Sequence, residues 1–198
     1  MKHLWLRAEH RENEKRVGLT PEGANQLIRI GIKVSVETSD TRIIPIKDYK
    51  DAGCEIVPEG SWERAPEEAV IFGLKELPNN DRPLKHSHIM FGHAFKGQIS
   101  GKKLLKRFKE GGGTLYDIEY LTNETGKRVA AFGYWAGFAG AFVTLMVWIN
   151  QQKKKQCPPL SAFDDKHKLF GDLSNEINSV KTRPSALVIG ALGRVGTG

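Results

Sequence analysis

The chain has 198 residues, 39% of them hydrophobic, with 30 Lys and Arg against 23 Asp and Glu, a formal net charge of +7. This length allows one large domain, or one domain with part of a second, and the even spread of charge suits a soluble globular chain. Cys54 and Cys157 are the two cysteines, without C-x-x-C spacing, which excludes a disulfide framework and a zinc site. The excess charge lies partly in Lys102, Lys103, Lys106, Arg107 and Lys109 and partly in Lys153 to Lys155. Both clusters read as solvated helix faces. No basic stripe with interleaved aromatics is present, so no nucleic-acid partner is expected. A small anionic substrate fits the charge. His86 and His88 have no carboxylate or cysteine at a ligand spacing and read as loop residues, so no metal is expected. Charge interrupts Met1 to Arg7 too early for a signal-peptide core. A reducing compartment, the cytoplasm, is the expectation.

Leu4 to Leu6 reads as a first short strand, followed by a charged loop to Arg16. Thr20 can cap a helix, Pro21 suits its first position and Glu22 faces its positive end. Gly31 ends it. Residues 32 to 37 alternate with period two and read as a strand. Residues 46 to 52 read as a short helix and 55 to 57 as a strand closed by Pro58. This β-α-β-α-β order predicts an α/β parallel sheet with right-handed crossovers.

Two later stretches repeat one design. Val70-Ile71-Phe72-Gly73-Leu74-Lys75-Glu76 and Ile89-Met90-Phe91-Gly92-His93-Ala94-Phe95-Lys96 each run from an apolar strand through a glycine into ionisable groups. In open α/β sheets ligands bind beyond the carboxyl ends of the strands. Neighbouring strands would therefore bring Lys75 and His93 to one edge as candidate site residues. Residues 101 to 110 then read as an amphipathic helix, broken by Gly111 to Gly113, and 114 to 118 as a further strand.

Residues 129 to 149 form a run of 21 without a charge, flanked by basic residues. About 20 apolar residues span a bilayer, and Gly133, Gly137 and Gly140 have the small spacing of membrane helix contacts. The modest apolarity favours instead a buried helix from near Gly133, packed through its glycines on a sheet. Residues 153 to 160 read as a linker and 166 to 180 as a helix. Residues 184 to 190 read as a buried strand running into Gly190-x-x-Gly193-x-x-Gly196. A strand and clustered glycines are what a dinucleotide turn needs, although this is not strict G-x-G-x-x-G. The helix and the acidic residue that should follow it are absent. The sequence therefore reads as a fragment that stops inside a second domain. Its expected organisation is a substrate-binding Rossmann-like domain at 1–150, a linker and helix at 151–183, and the start of an NAD-binding Rossmann domain at 184–198.

Several segments, in order, resemble one family. They include Leu6-Arg7-Ala8-Glu9, Arg16-Val17-Gly18-Leu19-Thr20-Pro21, Gly73-Leu74-Lys75-Glu76, Gly92-His93-Ala94-Phe95-Lys96, Gly113-Thr114-Leu115-Tyr116-Asp117 and Val188-Ile189-Gly190-Ala191-Leu192-Gly193-Arg194. The chain resembles the amino-terminal half of the NAD-dependent, L-lysine-forming saccharopine dehydrogenases, within the wider alanine dehydrogenase and transhydrogenase group. The resemblance implies two Rossmann-like domains with the active site between them. It implies oxidation of saccharopine by NAD to an imine, then hydrolysis to lysine and 2-oxoglutarate. Full-length members are expected to be monomers, and the fragment alone is expected to be inactive and prone to self-association. By the same resemblance, Lys75 is the base for the secondary amine and His93 the acid-base group of hydrolysis. Arg16 and Lys96 would hold substrate carboxylates, with Gln98 and Phe132 near the substrate and Glu119 tuning the lysines. Gly193, Arg194 and either Lys127 or Arg128 would meet the cofactor. Where the family tends to have arginine at 127 this chain has lysine, which lacks the bidentate fork.

A free lysine has a pKa of about 10.4; burial beside Arg16, Lys96 and His93 would lower that of Lys75. Two alternatives stand beside this reading. One is a standalone binding module for amino or keto acids. The other is a membrane-anchored protein, from the 129–149 run.

Overall fold

The computed structural model describes residues 2–161, 163 and 165–198. The chain divides into two compact units, residues 1–130 and 131–198. The first unit is built on six parallel strands: β1 (His3–Leu6), β2 (Lys33–Glu37), β3 (Glu55–Val57), β4 (Ala69–Phe72), β5 (Ser87–Met90) and β6 (Thr114–Asp117). Their order across the sheet is β3-β2-β1-β4-β5-β6. The connecting helices are α1 (Pro21–Arg29), α2 (Ile46–Asp51) and α3 (Ile99–Gly111).

Two cores explain why the strands carry their sequences. On one face Leu6, Val34 and Val36 meet Ala24 of α1 and Tyr49 of α2. On the other, Trp5, Ile71 and Met90 meet Trp62 and Phe108 of α3. The period-two stretch at 32 to 37 forms a strand as read, but both faces of it are covered, so Val34 to Glu37 are all buried. The polar members, Ser35 and Glu37, are satisfied inside: Ser35 meets His3 at 2.7 Å. Glu37 accepts from Trp5 Nε1 (3.2 Å) and from the N–H groups of Ala8 (2.9 Å), Gly60 (3.0 Å) and Trp62 (2.7 Å).

His86 lies in the loop before β5 as read, whereas His88 lies on β5 and corrects the reading, and both are buried. His88 lies on β5 between the edges of Trp62 and Phe108, at ring distances of 5.3 Å to each. A histidine on a strand contributes apolar ring area to a core when it stays neutral. Burial holds its pKa down to about 3.

The second unit contains α4 (Gly133–Gln152) and α5 (Lys166–Asn178), which pack on each other. Asp165 caps α5 by accepting from His167 N at 2.7 Å and Lys168 N at 2.9 Å. Two expectations fail here. The helix at α4 forms, but within it only Phe142 and Ile149 are buried. Gly133 and Gly137 lie under the 193–198 turn: a Cβ at Gly137 would stand 1.9 Å from the Val195 carbonyl oxygen. No described helix is long and apolar enough to cross a membrane, which overturns the membrane-anchor reading of 129–149. Residues 184–190 form no strand, and Leu187 and Ile189 are 88% and 91% exposed. An apolar run becomes a buried strand only where a neighbouring edge supplies its hydrogen bonds, and among the described residues none pairs with it.

Candidate functional site

The strand order places a topological switch between β1 and β4, where successive connections depart to opposite sides. All strands are parallel, so the carboxyl ends of β1, β4, β5 and β6 share one edge. Such an edge, at such a switch, is where α/β sheets bind ligands. Lys75 follows β4 by three residues and His93 follows β5 by three. The repeated strand–glycine–basic design thus does converge on one edge. Both residues are partly buried.

Glu119 gathers the right-hand part of the site. It sits in the 3-10 turn after β6 and accepts from Lys96 Nζ at 2.8 Å and meets Arg128 Nη2 at 3.0 Å. His93 Nδ1 lies 3.9 Å from its other oxygen side. The Lys96 hydrogen bond is the main cause that holds the Glu119 carboxyl below its ordinary range, with the charges of Arg128, Lys96 and His93 adding to it. His93 itself has φ +49°. A non-glycine residue in the left-handed region is uncommon and clusters at functional sites. Its ring stacks on Phe91 at 6.1 Å.

The left-hand part is made by the loop after β1. Arg16 is held by Glu14, at 2.7 Å from Nε and 2.6 Å from Nη2. Glu14 is buried, and the hydrogen bond from Arg16 is the main cause that keeps its carboxyl ionised below the usual range. Arg16 is therefore a half-exposed guanidinium whose fork already carries a carboxylate, the geometry by which it could take one from a ligand.

Among the other predicted residues, Gln98 is exposed at the cap of α3. Lys127 is exposed in a turn, with its N–H on Asn123 Oδ1 at 2.9 Å. Phe132, Gly193 and Arg194 belong to the second unit. Phe132 is exposed, and the Arg194 stem lies against Gly133. The glycine loop folds on itself: Gly193 N donates to Gly190 O at 2.9 Å, Thr197 N to Gly193 O at 2.9 Å and Gly198 N to Val195 O at 3.1 Å. Three amides of the turn are thus used internally, and no strand precedes them. Among the described residues no group of three or more His, Cys, Asp or Glu could hold a metal. Sequence reading gave no role to Arg7, Glu9, Glu14 or Glu37. The signal available was an Arg-x-Glu directly after a buried strand, where an internal ion pair has to be formed.

The sequence model of the family described as alanine dehydrogenase/PNT, N-terminal domain, matches residues 5–139. The chain belongs to that family. The saccharopine dehydrogenase [NAD(+), L-lysine-forming] of Schizosaccharomyces pombe is 45% identical over 99% of this chain and 55% of its own length. The Candida albicans protein of the same name is 43% identical over 98% of this chain and 56% of its own length. The chain thus spans about half the length of the curated relatives it matches. Among solved structures, an L-alanine dehydrogenase superposes with a TM-score of 0.57 at 19% identity, covering 76% of this chain and 42% of the other. A transhydrogenase from Sinorhizobium meliloti gives 0.55 at 18%, over 74% and 44%. These structures share the Rossmann-like α/β fold.

Proposed function

We propose that the chain is the substrate-binding half of an NAD-dependent, L-lysine-forming saccharopine dehydrogenase, with residues 1–150 as the substrate domain, 151–183 as a linker and helix, and 184–198 as the start of the cofactor domain. The observation that carries this reading is the convergence of Lys75 with His93, Lys96 and Glu119 along the carboxyl edge of the sheet, in a chain 45% identical to a relative of that name. Saccharopine carries three carboxylates and a secondary amine. Lys75 takes the amine proton. Lys96 and Arg16 exchange their present carboxylate partners for those of the substrate, with Gln98 and Phe132 alongside. His93 moves a proton during hydrolysis of the imine to lysine and 2-oxoglutarate, and Glu119 sets the charge balance around it. NAD, which accepts the hydride, enters through the relatives' name. Lys127, Arg128, Gly193 and Arg194 are its proposed contacts, and the last two require the present turn to open. The whole protein is proposed to work as a cytoplasmic monomer, in keeping with the two free cysteines of this chain.

The test is NADH formation by the whole protein with saccharopine. Lys75→Met should lower kcat by about 10²-fold, the scale of a lost general base, with a smaller change in KM. No saccharopine-dependent NADH, or near-parent activity in the Lys75→Met protein, would overturn it. The closed glycine turn favours a second reading, a module that binds amino or keto acids without redox chemistry. In that case calorimetry would show saccharopine binding with no NADH formed.

A further inference from the structure

Lys75 stands on a loop whose backbone is gripped from below. Glu9 accepts from Leu74 N at 2.6 Å through one oxygen and from Lys75 N at 3.0 Å through the other. Arg7 donates through Nη2 to the Lys75 carbonyl oxygen. The two side chains pair at 3.3 Å and are almost completely buried, at 1% and 7% exposure. Arg7 also donates through Nη1 to Ala8 O at 3.0 Å, so the guanidinium is fixed to its own strand end as well. Both peptide groups flanking the Cα of Lys75 are therefore held by one ion pair that starts from β1, across the switch from β4.

A second observation is independent of these bonds. A Cβ placed on Gly73 would fall 2.4 Å from Arg7 Cζ and Nε. A side chain at 73 would push the guanidinium from its place beneath the loop, and the φ of Gly73 is not positive, so space and not backbone freedom favours glycine there. The Leu6-Arg7-Ala8-Glu9 and Gly73-Leu74-Lys75 segments are thus two halves of one device.

We propose that the Arg7–Glu9 pair is a positioning device for Lys75, setting where its ammonium stands at the carboxyl edge. This rests on the reading of Lys75 as the base. Hydrogen bonds to an ionised, dehydrated carboxylate are strong and short, and truncating one member leaves the other charge buried without its partner. The grip acts on the backbone, so the long side chain keeps its rotamers while its root does not move. The charge of Lys75 also helps hold the Glu14 and Glu76 carboxyls down, but neither bonds to its peptide groups.

The experiment needs no turnover. The 198-residue chain is labelled with trace acetic anhydride, and the ratio of acetylated Lys75 to acetylated Lys47, an exposed lysine on α2, is read by mass spectrometry. Glu9→Gln replaces one acceptor by a donor that faces an N–H, and Arg7→Lys cannot reach its partners with a fork. Each should change the Lys75/Lys47 ratio several-fold while the ratio of Lys50 to Lys47 stays as in the parent. An unchanged ratio in either folded variant would overturn the proposal. Should both variants fail to fold, hydrogen exchange on the parent decides: the Leu74 and Lys75 amides should be strongly protected, and exchange as fast as that of the exposed 95–98 loop would overturn it. Failure of the catalytic reading looks different. There Lys75→Met leaves turnover of the whole protein intact while these ratios still shift.

Discussion

His88 shows how one residue's surroundings set its chemistry. Both ring nitrogens are buried without a hydrogen-bond partner among the described residues, and burial, aided by the charges of Arg7, His86 and Arg107, lowers its pKa to about 3. A folded-state pKa below the unfolded value of about 6.5 means that protons favour the unfolded chain. The associated stability is fully present above pH 6.5 and is lost as the pH falls toward the folded value, by about 2 kcal/mol at pH 5. His88→Leu should flatten the fall of Tm between pH 6.5 and 5, and an unaltered slope would show that His88 accepts its proton in the folded state. At the same scale, His93→Gln in the whole protein should slow turnover and remove one limb of the pH-rate profile. A profile that kept both limbs and its height would leave His93 a structural residue held by Glu119 and Phe91.

At the scale of elements, the three glycines after α3 are more than a break. Gly112 takes φ +74° as the left-handed cap, with its N–H on Phe108 O at 2.9 Å. Gly111 and Gly113 serve space: a Cβ at either would stand 2.2 Å or 2.4 Å from the nearest backbone oxygen of Leu84 or His86. This close approach lets the α3–β6 connection lie on the segment leading into β5, where Leu84 N donates to Arg107 O at 2.9 Å and Gly113 N to Leu84 O at 2.9 Å. Backbone cannot yield as a side-chain tip can. Gly111→Ala should cost about 1–3 kcal/mol, the range of overpacking, as measured by urea denaturation. A loss no larger than that of an exposed surface change would mean that the Leu84 segment and the helix end move apart freely.

For the molecule as a whole, the two units differ in how far their sequences are satisfied. The first buries apolar side chains on both faces of its sheet. The second leaves Trp135, Val143, Val147, Leu187 and Ile189 exposed. Its glycine turn consumes its own amides, so the 198-residue chain should bind NAD far more weakly than micromolar and form no NADH with saccharopine. Calorimetric titration with NAD checks this. Micromolar binding would mean that the turn opens and that its neighbours supply a cofactor cradle.

Local sequence determined the elements. Thr20 before Pro21, the apolar runs at 70–72 and 89–91, and the period of α3 act over a few residues, and those helices and strands form where they were expected. The parallel order and the shared edge of Lys75 and His93 followed from the alternation of strands and helices, because crossovers have one hand. Only the tertiary structure decided what depends on partners distant in sequence. Arg7 finds the Lys75 carbonyl 68 residues away, and Glu119 collects Lys96 and Arg128. The apolar run at 187–189 and the apolar face of α4 read like core. Apolar character says only that a segment gains by burial, and whether it is buried depends on a surface that another part of the fold must supply.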